Sequence, residues 1–304
     1  MTDFKKPAEF RREVWGLLGF LVVASAQVSN MILARGVAGS VPPFTIAFFR
    51  WGLVALRLSP AIIAALRSHP GTLRANGVAI AATGFLGMFL CGGPVYIAGE
   101  TTSAINIALI MALSPLVVLV LSWLLRLDVI RGGQIVGMLI SLAGAILIIM
   151  RGRSAGSAGP TAGDILALLA MMAWAGYTLM QNRAGPSLGF LARVGLFAAA
   201  GALFSLPFAF YEMWSRPQAV FTTHALAVYL FAGLVPGLFA YTAYAYLGAA
   251  FGAISTALSL YLGPIVSAIL SIALLGEAPM LVHVGGGTLS LGGLWWSMRA
   301  KKEK

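Results

Sequence analysis

Charge is what this sequence has least of. Asp, Glu, Lys and Arg make up 10% of its 304 residues, against about 25% in a soluble domain. Only 9 residues are acidic, while 60% are hydrophobic. So few charges cannot cover a water-facing surface, which excludes soluble globular and disordered classes and leaves a membrane-embedded chain. The single cysteine, Cys91, excludes an internal disulfide. Histidine is almost as scarce: His69, His224 and His283 are the whole set, and none has a carboxylate or cysteine at metal-ligand spacing. The acids fall at the ends of the apolar runs or outside them. Glu100, Asp164 and Glu277 stand at run ends and Asp128 in a connection, where they read as caps and solvated charges. Glycine-rich Gly285-Gly286-Gly287 lacks the strand–turn–helix context and the lysine of a phosphate loop. These absences argue against an enzyme, a resident cofactor and a metal. The net charge of +11 is read by position along the runs, so no nucleic-acid partner is expected.

What is there is a repeat. Sliding the sequence by 149 positions lays Ala104–Gly144 on Ala253–Gly293 with 14 identities in 41 ungapped positions. Pro115 falls on Pro264, Leu121-Ser122 on Leu270-Ser271, and Gly137, Ser141 and Gly144 on Gly286, Ser290 and Gly293. The same offset puts Ala24 on Ala173, Phe48 on Phe197 and Gly84 on Gly233. Matching prolines and glycines are beyond what apolar composition supplies. The chain therefore reads as two copies, 1–151 and 163–304, joined by a Gly/Ser-rich linker at 152–162.

A spanning helix needs about 20 mostly apolar residues. Ten such runs can be drawn: 14–34, 43–65, 76–97, 101–124, 129–150, 163–182, 189–211, 225–247, 250–275 and 280–298. With the N-terminus inside, thirteen Lys/Arg lie in inner segments and four in outer ones, which places both termini in the cytoplasm. Five spans per copy is an odd number, so the second copy must be inverted relative to the first. The expected fold is all-α, ten transmembrane helices as two inverted five-helix repeats in one membrane domain.

Polar and aromatic residues inside spans point to function, because lipid disfavours the polar ones. Trp174, Tyr177, Thr178 and Gln181 follow one helical face, and Gln27 shares a face with Asn30. Asn106, Tyr241, Tyr244 and Ser259 add to the set. Together they predict a central cavity with aromatic walls, hydrogen-bonding groups and little charge. Tyr96 and Tyr246, close to helix ends, read instead as interfacial belt residues. Arg50 stands about seven residues into its run, where it either snorkels to the headgroups or faces the cavity to bind a substrate carboxylate. Pro94, Pro115, Pro236 and Pro264 are expected inside helices, and the matched pair Pro115 and Pro264 as hinges. The small-residue stripes Gly137/Ser141/Gly144 and Gly286/Ser290/Gly293 predict close helix packing.

These features resemble the ten-helix drug/metabolite transporter superfamily, EamA-type, over essentially the whole chain. The residues that carry the resemblance are Ala253-Ile254 through Pro264 to Leu274-Leu275-Gly276-Glu277, their echo Ala104-Ile105 through Pro115 to Leu125, Phe48-Phe49-Arg50, and Trp174 with Tyr177. The resemblance implies a basket-like bundle with a central cavity and the fifth and tenth spans at the back. It implies export or exchange of small metabolites, often amino acids, with Trp174 as the aromatic cavity residue. The expected partners are then a small-molecule substrate and the lipid bilayer, and the expected unit is a monomer in the bacterial inner membrane. Two departures stand out. Ser25-Ala26 replace the family's usual Trp-Gly pair, and Leu127-Asp128 its usual Gly-Glu. The rival readings are a multidrug or other metabolite permease, and a membrane enzyme acting on lipid-linked substrates.

Overall fold

The computed structural model describes residues 7–126, 132–151, 161–181, 183–244, 253–277 and 280–300. The linker at 152–160, Asp128 and Tyr246 lie outside them. The described residues form helices and their connections, with no strand among them. The order is α1 (Pro7–Gly36), α2 (Pro43–Ser68), α3 (Thr72–Gly84), α4 (Gly93–Thr101), α5 (Ala104–Met111), α6 (Ser114–Leu124), α7 (Gly132–Arg151), α8 (Ala162–Met180), α9 (Phe190–Ser215), the single turn α10 (Pro217–Val220), α11 (Thr223–Ala232), α12 (Ala253–Leu275) and α13 (Leu281–Ala300). Among the described residues six helical stretches are long and apolar enough to cross a membrane: Pro43–Ser68, Thr72–Thr101, Ala104–Leu124, Ala162–Met180, Phe190–Ser215 and Thr223–Tyr244. Helices α1, α7, α12 and α13 fill the other four apolar runs. Large apolar side chains such as Leu56, Val78, Leu203 and Leu281 stand exposed, as a hydrocarbon surround allows.

Helix starts are set by local chemistry. Ser103 Oγ accepts the Asn106 N–H, and Thr222 Oγ1 accepts that of Ala225. Thr161 and Asp164 form a reciprocal capping box at the start of α8. The N-terminus of α2 is capped from afar: the Glu212 carboxylate, in the last turn of α9, accepts the Phe44 and Thr45 N–H groups and the Thr45 hydroxyl.

Two stretches are not plain α-helix. α3 runs into a π segment, Phe85–Leu90, then breaks at Cys91-Gly92 before α4. α11 runs into a second π segment, Gly233–Phe239, before a last helical turn at 240–244. Shifted by the repeat offset, the first falls on the second. Two of the four prolines expected inside helices sit differently, at helix starts. Pro94 and Pro115 occupy the first turns of α4 and α6, each just after a break, where the missing N–H costs nothing. Pro236 lies in the second π segment. Of these four, Pro264 alone is interior to a continuous α-helix, α12. The matched prolines therefore differ in setting: the first copy is broken beside Pro115, and the second runs through Pro264.

Helix pairing follows an approximate two-fold rule. α2 packs on α9, α7 packs on α13, and the pair α1 and α12 is echoed by α8 against α5 and α6. The α7–α13 seam shows the rule atom by atom. The Ser141 hydroxyl donates to the Ser290 carbonyl, and the Ser290 hydroxyl donates to the Ser141 carbonyl at 3.2 Å. A Cβ on Gly144 would lie 2.5 Å from Gly286 O, and one on Gly293 would lie 2.5 Å from Gly137 O. Such reciprocity, residue i on j and j′ on i′, is the mark of two-fold packing.

Candidate functional site

A cavity of about 760 Å³, counting its mouth, lies between helices of both copies. Gln27, Asn30 and Met31 come from α1 and Arg50 from α2. Met111, Ala112 and Ser114 come from the α5–α6 break, Trp174 from α8, and Pro236 and Tyr241 from the stretch Thr223–Tyr244. The two breaks matter here. Cys91 lies at the break after the first π segment, and Ala112 at the α5–α6 break. Irregular backbone is tolerated in a membrane only where protein or a cavity satisfies it. A smaller hollow of about 260 Å³ is lined by Gln27, Trp174, Tyr177, Gln181, Val194, Tyr241 and Tyr244. Gln27, Trp174 and Tyr241 line both, so they form the partition between the two spaces.

The partition is an aromatic cluster. The Trp174 ring stands edge-on to Tyr241 at 5.7 Å and 5.2 Å from Tyr177, and Trp51 meets Tyr241 edge-on at 5.1 Å. Tyr177 reaches its place because residue 87 is glycine: a Cβ there would lie 2.3 Å from the Tyr177 ring. Offset and edge-on rings at these distances hold a rigid apolar surface.

Arg50 does not snorkel. It is 3% exposed and points inward. Its Nη1 donates to Asn30 Oδ1 at 2.6 Å and to Tyr96 Oη at 3.2 Å, and its Nη2 donates to the Pro236 carbonyl at 3.0 Å. The Tyr96 hydroxyl in turn donates to Asn30 Oδ1 at 2.7 Å. Arg50 Cζ sits 4.4 Å from the centre of the Trp51 ring. No carboxylate pairs with Arg50 among the described residues. Its Nε and Gln27 Nε2 are buried without a partner, and a buried unmet donor costs about 1–3 kcal/mol.

Several sequence expectations need correction. Tyr96 is not a belt residue: it is 2% exposed and holds Arg50. Position near the end of an apolar run misled, because the helix breaks at Cys91-Gly92 and α4 starts inside the bundle. Asn106 does not line the cavity. Its amide donates to Thr102 Oγ1 and Asp164 Oδ1, and its carbonyl oxygen meets His283 Nε2 at 3.1 Å. Asp164 is a helix cap, as its place at a run end suggests, but a wholly buried one rather than an interfacial one, accepting from the Thr102 hydroxyl at 2.5 Å and from the Thr161 N–H. Thr178 points its hydroxyl back to the Trp174 carbonyl. Glu277 pairs with Arg35 and also accepts the Ala104 N–H. Gln27, Asn30, Arg50, Trp174 and Tyr241 come together on the main cavity, whereas Tyr177, Gln181 and Tyr244 stand on the smaller hollow. The Ser259 side chain lies outside the described residues. Sequence reasoning missed Cys91, Ser114 and Pro236 on the wall. For Pro236 a signal existed: a proline amid Gly233 and Gly237 marks irregular backbone.

An apolar, all-helical chain folded around an amphipathic hollow defines a membrane transporter. The chain belongs to the EamA-like transporter family, whose profile matches residues 14–150 and 161–299, once per copy. It is 25% identical over 257 residues to an uncharacterized transporter of Archaeoglobus fulgidus, covering 83% of this chain and 86% of that one. It is 31% identical over 220 residues to the uncharacterized transporter YdfC of Bacillus subtilis, covering 71% and 69%. A crystal structure 21% identical in sequence superposes with a TM-score of 0.64 over 95% of this chain and 98% of that one, a likeness of fold.

Proposed function

We propose that the chain is a secondary transporter of the bacterial inner membrane that exports or exchanges small amphipathic metabolites, neutral and aromatic amino acids first among them. One observation carries the reading: Trp174 stands on the wall of a cavity to which both copies contribute. In this reading ten crossings form two inverted repeats with both termini in the cytoplasm, and the chain works as a monomer. The two-fold helix pairing supports it, because a pseudo-two-fold axis in the membrane plane makes the two ends of the bundle interchangeable. Alternating access then exchanges which end is open, with the α5–α6 break beside Pro115 and the proline-weakened turn of α12 at Pro264 as the yielding points. Gradients drive the flux.

Counterflow in proteoliposomes against a panel of labelled amino acids and other metabolites tests the proposal. The expected result is trans-stimulated uptake of at least one amphipathic solute, abolished by bulky substitution at Ala112. Trans-stimulation of nothing in the panel, by protein that is folded in the membrane, would overturn it.

A further inference from the structure

Two side-chain donors at the main cavity, Arg50 Nε and Gln27 Nε2, are buried without an acceptor. Around Arg50 the acceptors are already engaged. Asn30 Oδ1 takes both Arg50 Nη1 and the Tyr96 hydroxyl, and Pro236 O takes Nη2. Arg50 Nε has no acceptor. Gln27, on the neighbouring α1, presents a second unmet donor, Nε2. Both residues line the cavity, and no Asp or Glu does. A guanidinium keeps its charge in a protein, so the cavity holds a permanent cation without a fixed counter-charge among the described residues. Beside this donor pair lie the apolar faces of Trp174, Met31 and Val95.

We infer that the cavity selects its solute by a carboxylate, taken by Arg50 and Gln27 while the apolar body lies against Trp174 and Tyr241. The inference rests on this cavity being the transport site proposed above, and it names the substrate class: aromatic and aliphatic carboxylic acids, with or without an α-amino group. An amino acid is then held through its carboxylate, and its ammonium contributes little. A free amine is rejected, because the ring faces that attract a cation stand beside the Arg50 charge, whose repulsion is strong at low dielectric.

Three related probes separate the possibilities: 3-phenylpropionate, phenylalanine and phenethylamine. Binding is read by titration calorimetry and by ligand-induced thermal stabilisation of the full chain in nanodiscs. The expected ranking has 3-phenylpropionate and phenylalanine bound about tenfold or more tightly than phenethylamine, since a hydrogen bond to a charged group contributes that much. Gln27→Glu puts a negative charge beside the site at nearly constant volume, and should weaken 3-phenylpropionate about tenfold or more. Arg50→Lys keeps the charge but loses the fork, and should weaken it as well. Arg50 also ties three helical segments together, so its variant can fail to fold. The probe ranking in the unmodified chain and the Gln27→Glu variant decide without it. Phenethylamine binding as tightly as the acid, or Gln27→Glu leaving acid affinity unchanged, overturns the inference while leaving a transporter in place. Failure of all three probes also overturns it; trans-stimulated flux of some uncharged solute would then show that the transport reading stands without it.

Discussion

The α7–α13 seam and the central cavity come from the same duplication and use it in opposite ways. In the seam the two copies carry the same residues: Gly137, Ser141 and Gly144 face Gly286, Ser290 and Gly293. In the cavity the polar and aromatic residues are not the same. At the repeat offset Trp174 matches Ser25, Arg50 matches Ala199, Gln27 matches Gly176, and Tyr241 matches Gly92. A two-fold seam is self-complementary, so a residue that packs well on one side packs well on the other. A pocket for an asymmetric solute gains nothing from symmetry. One copy supplies the cation and the other the indole. At the seam retained identity marks where the halves touch each other, and for the polar and aromatic wall residues lost identity marks where they face the cavity.

The strongest way to break the comparison is to fill the seam. In Gly144→Leu the new Cβ would meet the Gly286 carbonyl at 2.5 Å, and the backbone of the opposing helix cannot give way as a side chain would. The expected cost is at the upper end of about 1–3 kcal/mol, read as loss of monodisperse protein in size-exclusion chromatography. A well-folded variant would show that the seam is looser than the geometry states. The cavity should respond in the opposite sense. Trp174→Ala should lower proteoliposome transport about tenfold or more per folded molecule, a larger loss than in folded yield. Unchanged transport would remove Trp174 from the site. A smaller effect is expected at Ser141→Ala, which deletes one of two reciprocal seam bonds. About 1 kcal/mol of stability should go, and Ser290→Ala should match it. Unequal losses would mean the two-fold relation is only superficial.

The sequence made the seam easier to read than the cavity, for a physical reason. Duplication, hydropathy and the prolines and glycines are local or periodic signals, and they place the helices and the α7–α13 contact. The face Trp174–Tyr177–Gln181 was also legible, because helical spacing fixes which side chains share a side. The remainder depends on partners far apart in the chain. Nothing near Tyr96 announces that its hydroxyl meets Asn30, or near Glu212 that it caps α2. Asp164 reads as an interfacial cap from its place at a helix start, and it does cap α8, yet Thr102 and Asn106 enclose it. The π segments at Phe85–Leu90 and Gly233–Phe239 have no periodic signature at all, although they fall at matched positions in the two copies. The second supplies the Pro236 carbonyl that Arg50 uses.

The smallest expected effect sharpens the comparison most, because it separates a residue on a functional face from one that acts there. Thr178 lies on the same side of α8 as Trp174 and Tyr177, so spacing alone would place it in the site. Its hydroxyl instead donates to the Trp174 carbonyl at 2.8 Å, within its own helix. A side chain that bonds the preceding turn has no donor left for a solute and slightly disfavours the helix. Thr178→Val keeps the shape and deletes the hydroxyl. Transport and Kd for any bound solute should stay within about twofold, and stability should move by no more than about 0.5 kcal/mol. A tenfold loss of transport would mean the hydroxyl turns toward the cavity during the cycle. The smaller hollow by Tyr177 and Gln181 would then belong to the path.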